Sequence, residues 1–329
     1  MTTPLPLGLA PYLSPTTLVT APTGIDWESI VPGDDTTPAQ QTAEMWNICA
    51  RATSRCDGYT NQTLRATADV ELVHGPDYRV TVGPAAGGSY PTPYWGGTGA
   101  LNARIILSRW PVLSVTQVQT CPNSQWPRQW TTLPSGYAEP EVPPLDIYGS
   151  ISPGGSAEGG QAVLVGGGYI NWQLGRNGWA ILVSYLNGWP HTSLTSAVTA
   201  GVTSLPVNDC TGWASTNYYN TATGATGRIT DSGQQEAVHV TSASVTSGPG
   251  NLTLSAATNY PHQAGTIVTT LPASVEQACI YFATAEALTR GATSTTIHSV
   301  GGAVAHSGGD MDGLITLAEL MLHPYRRTI

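Results

Sequence analysis

Trp179-Ala180-Ile181-Leu182-Val183-Ser184-Tyr185-Leu186-Asn187-Gly188-Trp189-Pro190 closes one kind of sequence, and Leu271-Pro272-Ala273-Ser274-Val275-Glu276-Gln277-Ala278 opens another. The first stretch is rich in β-branched and aromatic residues and predicts a strand over 179–185, ended by the Asn-Gly-Trp-Pro turn signal. The second predicts a helix. Pro272 opens it, Val275, Cys279, Phe282 and Leu288 fall on or near one face, and Gly291 suits the position just past its end. Between them, residues 191–271 are rich in Thr, Ser, Ala and Gly. Short β-runs at 204–207, 227–230, 237–241, 252–254 and 266–269 are separated by turn signals, as in a small barrel or sandwich.

Working outward, the firmest element is a helix over 38–59. Thr37 is its N-cap, Pro38 its first residue and Gln40 the partner that completes a capping box. Asp34 and Asp35 stand where the helix dipole favours negative charge. Ala39, Ala43, Trp46, Ala50 and Thr53 give a modest apolar stripe. Strands are expected at 64–72, 78–82, 104–107 and 112–118, with Pro111 forcing a bend or a sheet edge. Residues 83–100 and 121–160 are Gly- and Pro-dense loops, long enough to suggest binding or assembly segments. A last helix is expected over 312–322, capped by Asp310 or Asp312 and stopped by Pro324. The first 33 residues are Pro-rich and aperiodic, an arm rather than a domain.

Composition narrows the function classes. The chain has 329 residues, enough for about two domains. Net charge is −9, no Lys is present, and the 12 Arg residues are scattered with Arg326 and Arg327 the one adjacent pair. A phosphate-gripping face needs clustered basic residues, so sequence-specific DNA binding is not expected. The N-terminus lacks a secretory signal pattern, and no stretch reaches the apolar length of a membrane helix. The five cysteines are dispersed, and Cys49 and Cys56 stand two helical turns apart, too far for a disulfide. They read as reduced packing residues.

Reactive constellations are not found. Walker A, HExxH, GxSxG and GxGxxG motifs are lacking. Gly166-Gly167-Gly168 reads as a turn, and the seven His residues do not pair at helical spacing for zinc. Asp310-Met311-Asp312-Gly313 with Glu319 lacks calcium-loop spacing and reads as a helix cap. Glu139, Glu141 and Asp146 could be paired acids of a glycosidase, but a solvated Pro-rich loop explains them. Neither catalytic residues, nor a metal, nor a cofactor is assigned. Five tryptophans in loops, Trp95, Trp126, Trp130, Trp189 and Trp213, are interaction candidates, with local loop packing the competing reading. Arg326 and Arg327 join them as candidates at the C-terminal end.

Three stretches resemble the head-to-tail adaptor (connector) family of long-tailed bacteriophages. They are the helix after an acidic turn at 34–59, the run Ile105-Ile106-Leu107-Ser108-Arg109-Trp110-Pro111-Val112-Leu113-Ser114-Val115-Thr116-Gln117-Val118, and Val183 to Pro190. The second is similar to the family's strand, Arg-x-Pro-Val turn and Ser-Val-Thr-x-Val strand. The third is similar to its Val-x-Tyr-x-x-Gly-Tyr-x-x-Pro pattern, which there leads directly into a helix. Here the helix resumes some eighty residues later, at Leu271-Pro272, so 191–271 is expected as an inserted all-β domain. Insertions at surface junctions cost little loop-closure entropy. The pieces cover about half of the chain.

The expected fold is α+β: a helical adaptor frame with a small β-sheet, plus the inserted all-β domain. The expected organisation is an extended N-terminal arm at 1–36, frame at 37–190, insert at 191–271, and C-terminal helices and tail at 272–329. The resemblance implies a non-enzymatic homododecameric ring under the portal protein, in the neck of a virion assembled in the bacterial host cytoplasm. It would dock the next neck or tail protein and pass genomic DNA as cargo, without a membrane. The alternatives are a stopper, tail terminator or minor tail protein, and a glycan-binding virion protein.

Overall fold

A computed structural model describes residues 10–27, 30–31, 37–74, 80–84, 101–122, 127–132, 138–140, 161–164, 179–213, 224–231, 234–289 and 308–326. The chain is α+β: the described helices pack at one core, one antiparallel sheet encloses a second, and two further antiparallel sheets are present.

Four helices are present among the described residues: α1 (Pro15–Thr20), α2 (Pro38–Thr60), α3 (Ala273–Thr289) and α4 (Gly308–Leu322). The capping box on α2 forms as expected: Gln40 N–H donates to Thr37 Oγ1, and Thr37 N–H donates to Gln40 Oε1 at 2.8 Å. Asn61, at φ 55°, ends the helix in the left-handed region that Asn tolerates. The buried stripe of α2 is Ile48, Cys49, Ala52, Cys56 and Thr60, whereas Ala39, Ala43 and Ala50 are exposed. Of the expected stripe, Trp46 and Thr53 are half-buried and Trp46 packs against the core, while the three alanines face out. Cysteine packs as a small hydrophobe and outcompetes alanine for the core.

α3 is buried almost all round, through Val275, Ala278, Cys279, Ile280, Phe282, Ala283, Ala285 and Ala287. A helix that is apolar on every side belongs in the centre of a core. α2 and α4 pack on it. α4 starts at Gly308, so Asp310 and Asp312 lie inside its first turns rather than capping it. A 3-10 turn at His323–Tyr325, containing Pro324, ends it.

The expected arm is not simply extended. Residues 10–27 carry α1 and press Tyr12, Leu13, Leu18, Ile25 and Trp27 into the helical core of the same chain. Ser14 caps α1 by accepting from Thr17 N–H. Spaced apolar residues among the prolines supply enough burial to order this stretch on its own chain.

The first sheet has the order β1 (Thr67–His74), β8 (Trp179–Asn187), β4 (Val112–Pro122), β5 (Thr131–Thr132). A second four-stranded sheet orders β2 (Val80–Pro84), β3 (Leu101–Ile106), β7 (Gln161–Leu164) and β6 (Ala138–Pro140), and β4 lies against β6 and β7. The third sheet has six strands in the order β10 (Ser204–Val207), β13 (Gly250–Leu254), β12 (Glu236–Ala243), β11 (Ala225–Thr230), β14 (Ile267–Thr269), β9 (His191–Ser193). Every strand of this sheet falls within 191–269. It encloses a separate core of Leu194, Leu205, Val207, Cys210, Trp213, Ile229, Val240, Leu252 and Val268. β5, β6, β7 and β9, two to four residues each, are too short for period-2 patterning to reveal.

Candidate functional site

The stretches singled out in the sequence meet at one junction. Trp189 N–H donates to Leu64 O, Ala66 N–H donates to Trp189 O, and Gly188 N–H donates to Pro111 O. The turn before β4, with a cis Trp110–Pro111 peptide, is tied to β1 by charged side chains. Glu71 Oε2 accepts from Ser108 N–H at 2.8 Å, from Ser108 Oγ at 2.9 Å and from Tyr185 OH at 3.0 Å. Arg109 Nε lies 2.9 Å from Asp69 Oδ2. Burial, then the adjacent Glu71 charge, pushes the Tyr185 phenol up, so it stays a donor.

These contacts invert β1. Asp69 and Glu71 turn toward the packed face, and Ala68, Val70 and Leu72 turn outward beside Leu186, Ser184 and Leu182 of β8. Val70 is 59% exposed and Leu72 37%. α4 also carries exposed apolar residues, Leu317 and Leu320. These outward positions were not anticipated, although the alternation of Asp69 and Glu71 with Ala68, Val70 and Leu72 was readable. Only the position of Ser108 and Arg109 decides which face of such a strand is buried.

At the end of the junction Trp110, Trp189 and Tyr325 form an aromatic cluster, with Trp189 edge-on to Trp110 at 5.6 Å and to Tyr325 at 5.6 Å. Gln62 Nε2 donates to Tyr325 O at 2.9 Å and binds the C-terminal turn to the end of α2. Trp189 and Trp213 are therefore core residues, 2% and 0% exposed, and not partner-facing loop tryptophans. Among the described residues their indole N–H groups find no hydrogen-bond partner, and both rings pack as apolar bulk. Trp130 is half-buried with the Arg128 guanidinium 5.8 Å from its ring. Arg326 is exposed and lies over the Tyr59 ring at 5.6 Å. Trp95, Trp126 and Arg327 lie outside the described residues.

An open groove of about 1130 Å³ runs between α1, α3, α4 and the β11–β12 end of the six-stranded sheet. Its walls are mixed: Ile280, Leu314 and Leu317 on the helices, Thr20 and Thr23 on the arm, and the Arg228–Glu276 ion pair that joins β11 to α3. Glu236 stands at its edge, 7% exposed. The groove side chains include neither an activated nucleophile nor a metal set.

Behind Glu236 lies fully buried His262. Its Nε2 is 2.7 Å from Glu236 Oε1, and its Nδ1 is 3.3 Å from Asp231 Oδ2. Asn259 N–H and Nδ2 both donate to Glu236 Oε2. Burial pushes the Glu236 carboxyl up, but the hydrogen bonds from Asn259 and His262 outweigh it and hold the group below the usual glutamate range. With His262 buried, the cluster ties the 259–266 stretch to Glu236 and Asp231. Among the described residues there is no group of three or more His, Cys, Asp or Glu arranged to hold a metal ion. Cys49, Cys56, Cys121, Cys210 and Cys279 are all free and buried. Burial pushes the Cys49 thiol up, and a hydrogen bond with Cys279 together with burial does the same for Cys56, so neither is a ready thiolate. No helix among the described residues is long and apolar enough to cross a membrane.

No family model, no curated protein and no solved structure matches this chain.

Proposed function

We propose that this chain is a structural, non-catalytic subunit of a tailed-phage virion, a head-to-tail adaptor that forms a ring under the portal. The observation that supports this reading is the convergence of its three adaptor-like stretches. The end of α2, the Ser108-Arg109-Trp110-Pro111 turn and the Asn187-Gly188-Trp189-Pro190 turn lie far apart in sequence and pack into one junction. Stretches that act as one structural unit are expected to meet in this way.

A ring subunit needs two different surfaces that contact its neighbours in rotation. The outward face of β1 and β8 and the exposed side of α4 supply apolar residues on separate elements. The portal and the next neck or tail protein are the proposed partners, and DNA passes as cargo. The acidic balance, −9, suits a channel wall that does not hold phosphate.

Cryo-EM of the intact virion neck tests the proposal. The expected result is density for this chain in the ring directly beneath the portal. Density in a lower neck ring or in the tail would replace the adaptor reading by that of a stopper, terminator or minor tail protein.

A further inference from the structure

Three cysteines far apart in the sequence share one patch of the helical core. Cys49 and Cys56 lie two turns apart on α2, Cys279 lies on α3, and all three are 0% exposed. Cys279 Sγ stands 3.9 Å from Thr53 Oγ1. Thr53 comes one turn after Cys49 and one turn before Cys56, on the same stripe of α2. The Cys279 sulfur is thus set between the two α2 thiols. Cys56 shares a hydrogen bond with it, whereas Cys49 interacts with it through space.

Other contacts hold the two helices in this register. Glu286, two turns after Cys279 on α3, lies 3.0 Å from Arg51 Nε and 3.3 Å from Arg55 Nη2 of α2. Small buried side chains, Ala52 on α2 and Ala283 one turn after Cys279, let the helices approach closely. The remaining cysteines lie elsewhere, Cys121 in β4 and Cys210 in the core of the six-stranded sheet.

We propose that Cys56 and Cys279 are an oxidisable pair, which hydrogen peroxide converts to a disulfide that staples α2 to α3. One thiol, as its thiolate, attacks the O–O bond of the peroxide. An S–O bond forms, giving a sulfenic acid, and hydroxide leaves. The second thiolate attacks that sulfur, the S–S bond forms, the S–O bond breaks and hydroxide leaves again. The two sulfurs give up two electrons to the peroxide, and the two thiol protons end in two molecules of water.

The surroundings keep this reaction slow. The hydrogen bond with Cys279, then burial, pushes the Cys56 thiol up, and burial does so for Cys49. A buried, protonated thiol reacts only when its cover opens locally. That cover includes the N-terminal residues, since Tyr12 N–H donates to Thr53 Oγ1 at 2.9 Å beside the cluster. Once made, the staple closes a long loop that holds every described strand, and closing a long loop stabilises the folded chain. The inference concerns the chain alone and does not depend on the ring.

Treating the reduced full chain with hydrogen peroxide tests it. Remaining thiols are alkylated, and the peptides are mapped by mass spectrometry without reduction. The expected product is a linked peptide pair carrying Cys56 and Cys279, formed with the helical circular dichroism unchanged. Cys49→Ala should alter its yield by less than about twofold, and Cys56→Ala should lower all linkage of Cys279 by about tenfold or more. Linkage of Cys279 chiefly to Cys49 would overturn the proposal. So would oxidation of these thiols to sulfinic acid without linkage, linkage that forms only in denaturant, or thiols that all stay reduced in the native chain. These outcomes are read on the wild-type protein, so they decide the matter even if a variant folds poorly.

Discussion

At position 188 a side chain would run into backbone. Gly188 has φ +91°, and a Cβ placed there would stand 2.4 Å from Arg65 O. Gly201 has a similar φ, +85°, with nothing within 4 Å. Gly188→Ala should therefore cost about 3 kcal/mol or more, conformational penalty plus collision, and Gly201→Ala only about 1–2 kcal/mol. Urea denaturation of the two variants checks this, and equal costs would refute the packing argument. Glu236 makes a second test. Its folded carboxyl is held below the usual value, so its contribution is present above the unfolded value and is lost as pH falls through the lower folded one. Glu236→Gln should lose about 1–3 kcal/mol at pH 7 and flatten the stability curve below about pH 4. A steep acid slope in E236Q, measured by melting at several pH values, would place the titration elsewhere.

Among the elements, α2 shows what pattern reading sees and what it misses. Its existence, its start and its capping box were all legible, because capping is local chemistry between residues three apart. Its buried face was not. Alanine is compatible with either side of a helix, and only the arrival of α3 beside Cys49, Ala52 and Cys56 decides which side is dry. The same substitution two residues apart exposes the difference. Ala52→Gln, at a position 1% exposed, should cost about 2–4 kcal/mol through overpacking and a buried amide. Ala50→Gln, on the exposed face, should stay within about 0.5 kcal/mol. Comparable denaturation midpoints for the two would return the stripe to Ala39, Ala43 and Ala50. β1 teaches the same lesson for strands. Its alternation was visible, but the buried side carries the charges, because Ser108, Arg109 and Tyr185 wait there to pair with them.

In the whole molecule, the two cores around the helices and the six-stranded sheet meet at a narrow seam. His191 pairs with Thr269 across β9 and β14, and Thr270 N–H donates to Pro190 O, so the chain leaves and re-enters at neighbouring points. Replacing 192–268 by Asn-Gly would join His191 to Thr269 through a two-residue hairpin. The expected outcome is retained helical circular dichroism with a lower melting temperature, since Glu276 loses Arg228. Loss of helical signal at 25 °C would show that the helical core depends on the sheet. The composition of the sequence changes at Pro190 and again at Leu271.

By itself, then, the sequence determined what local spacing can encode: the capped helix at 38, the helix after Pro272, the short strands between 204 and 269, and an α+β class. The tertiary structure alone decided which faces are dry. It turned Trp189 and Trp213 from candidate contacts into core, folded residues 10–27 onto their own chain, and placed His191 beneath Pro11. The reason is range. Caps, turns and periodicity act over a few residues, whereas burial depends on partners such as Pro11 and His191, 180 positions apart.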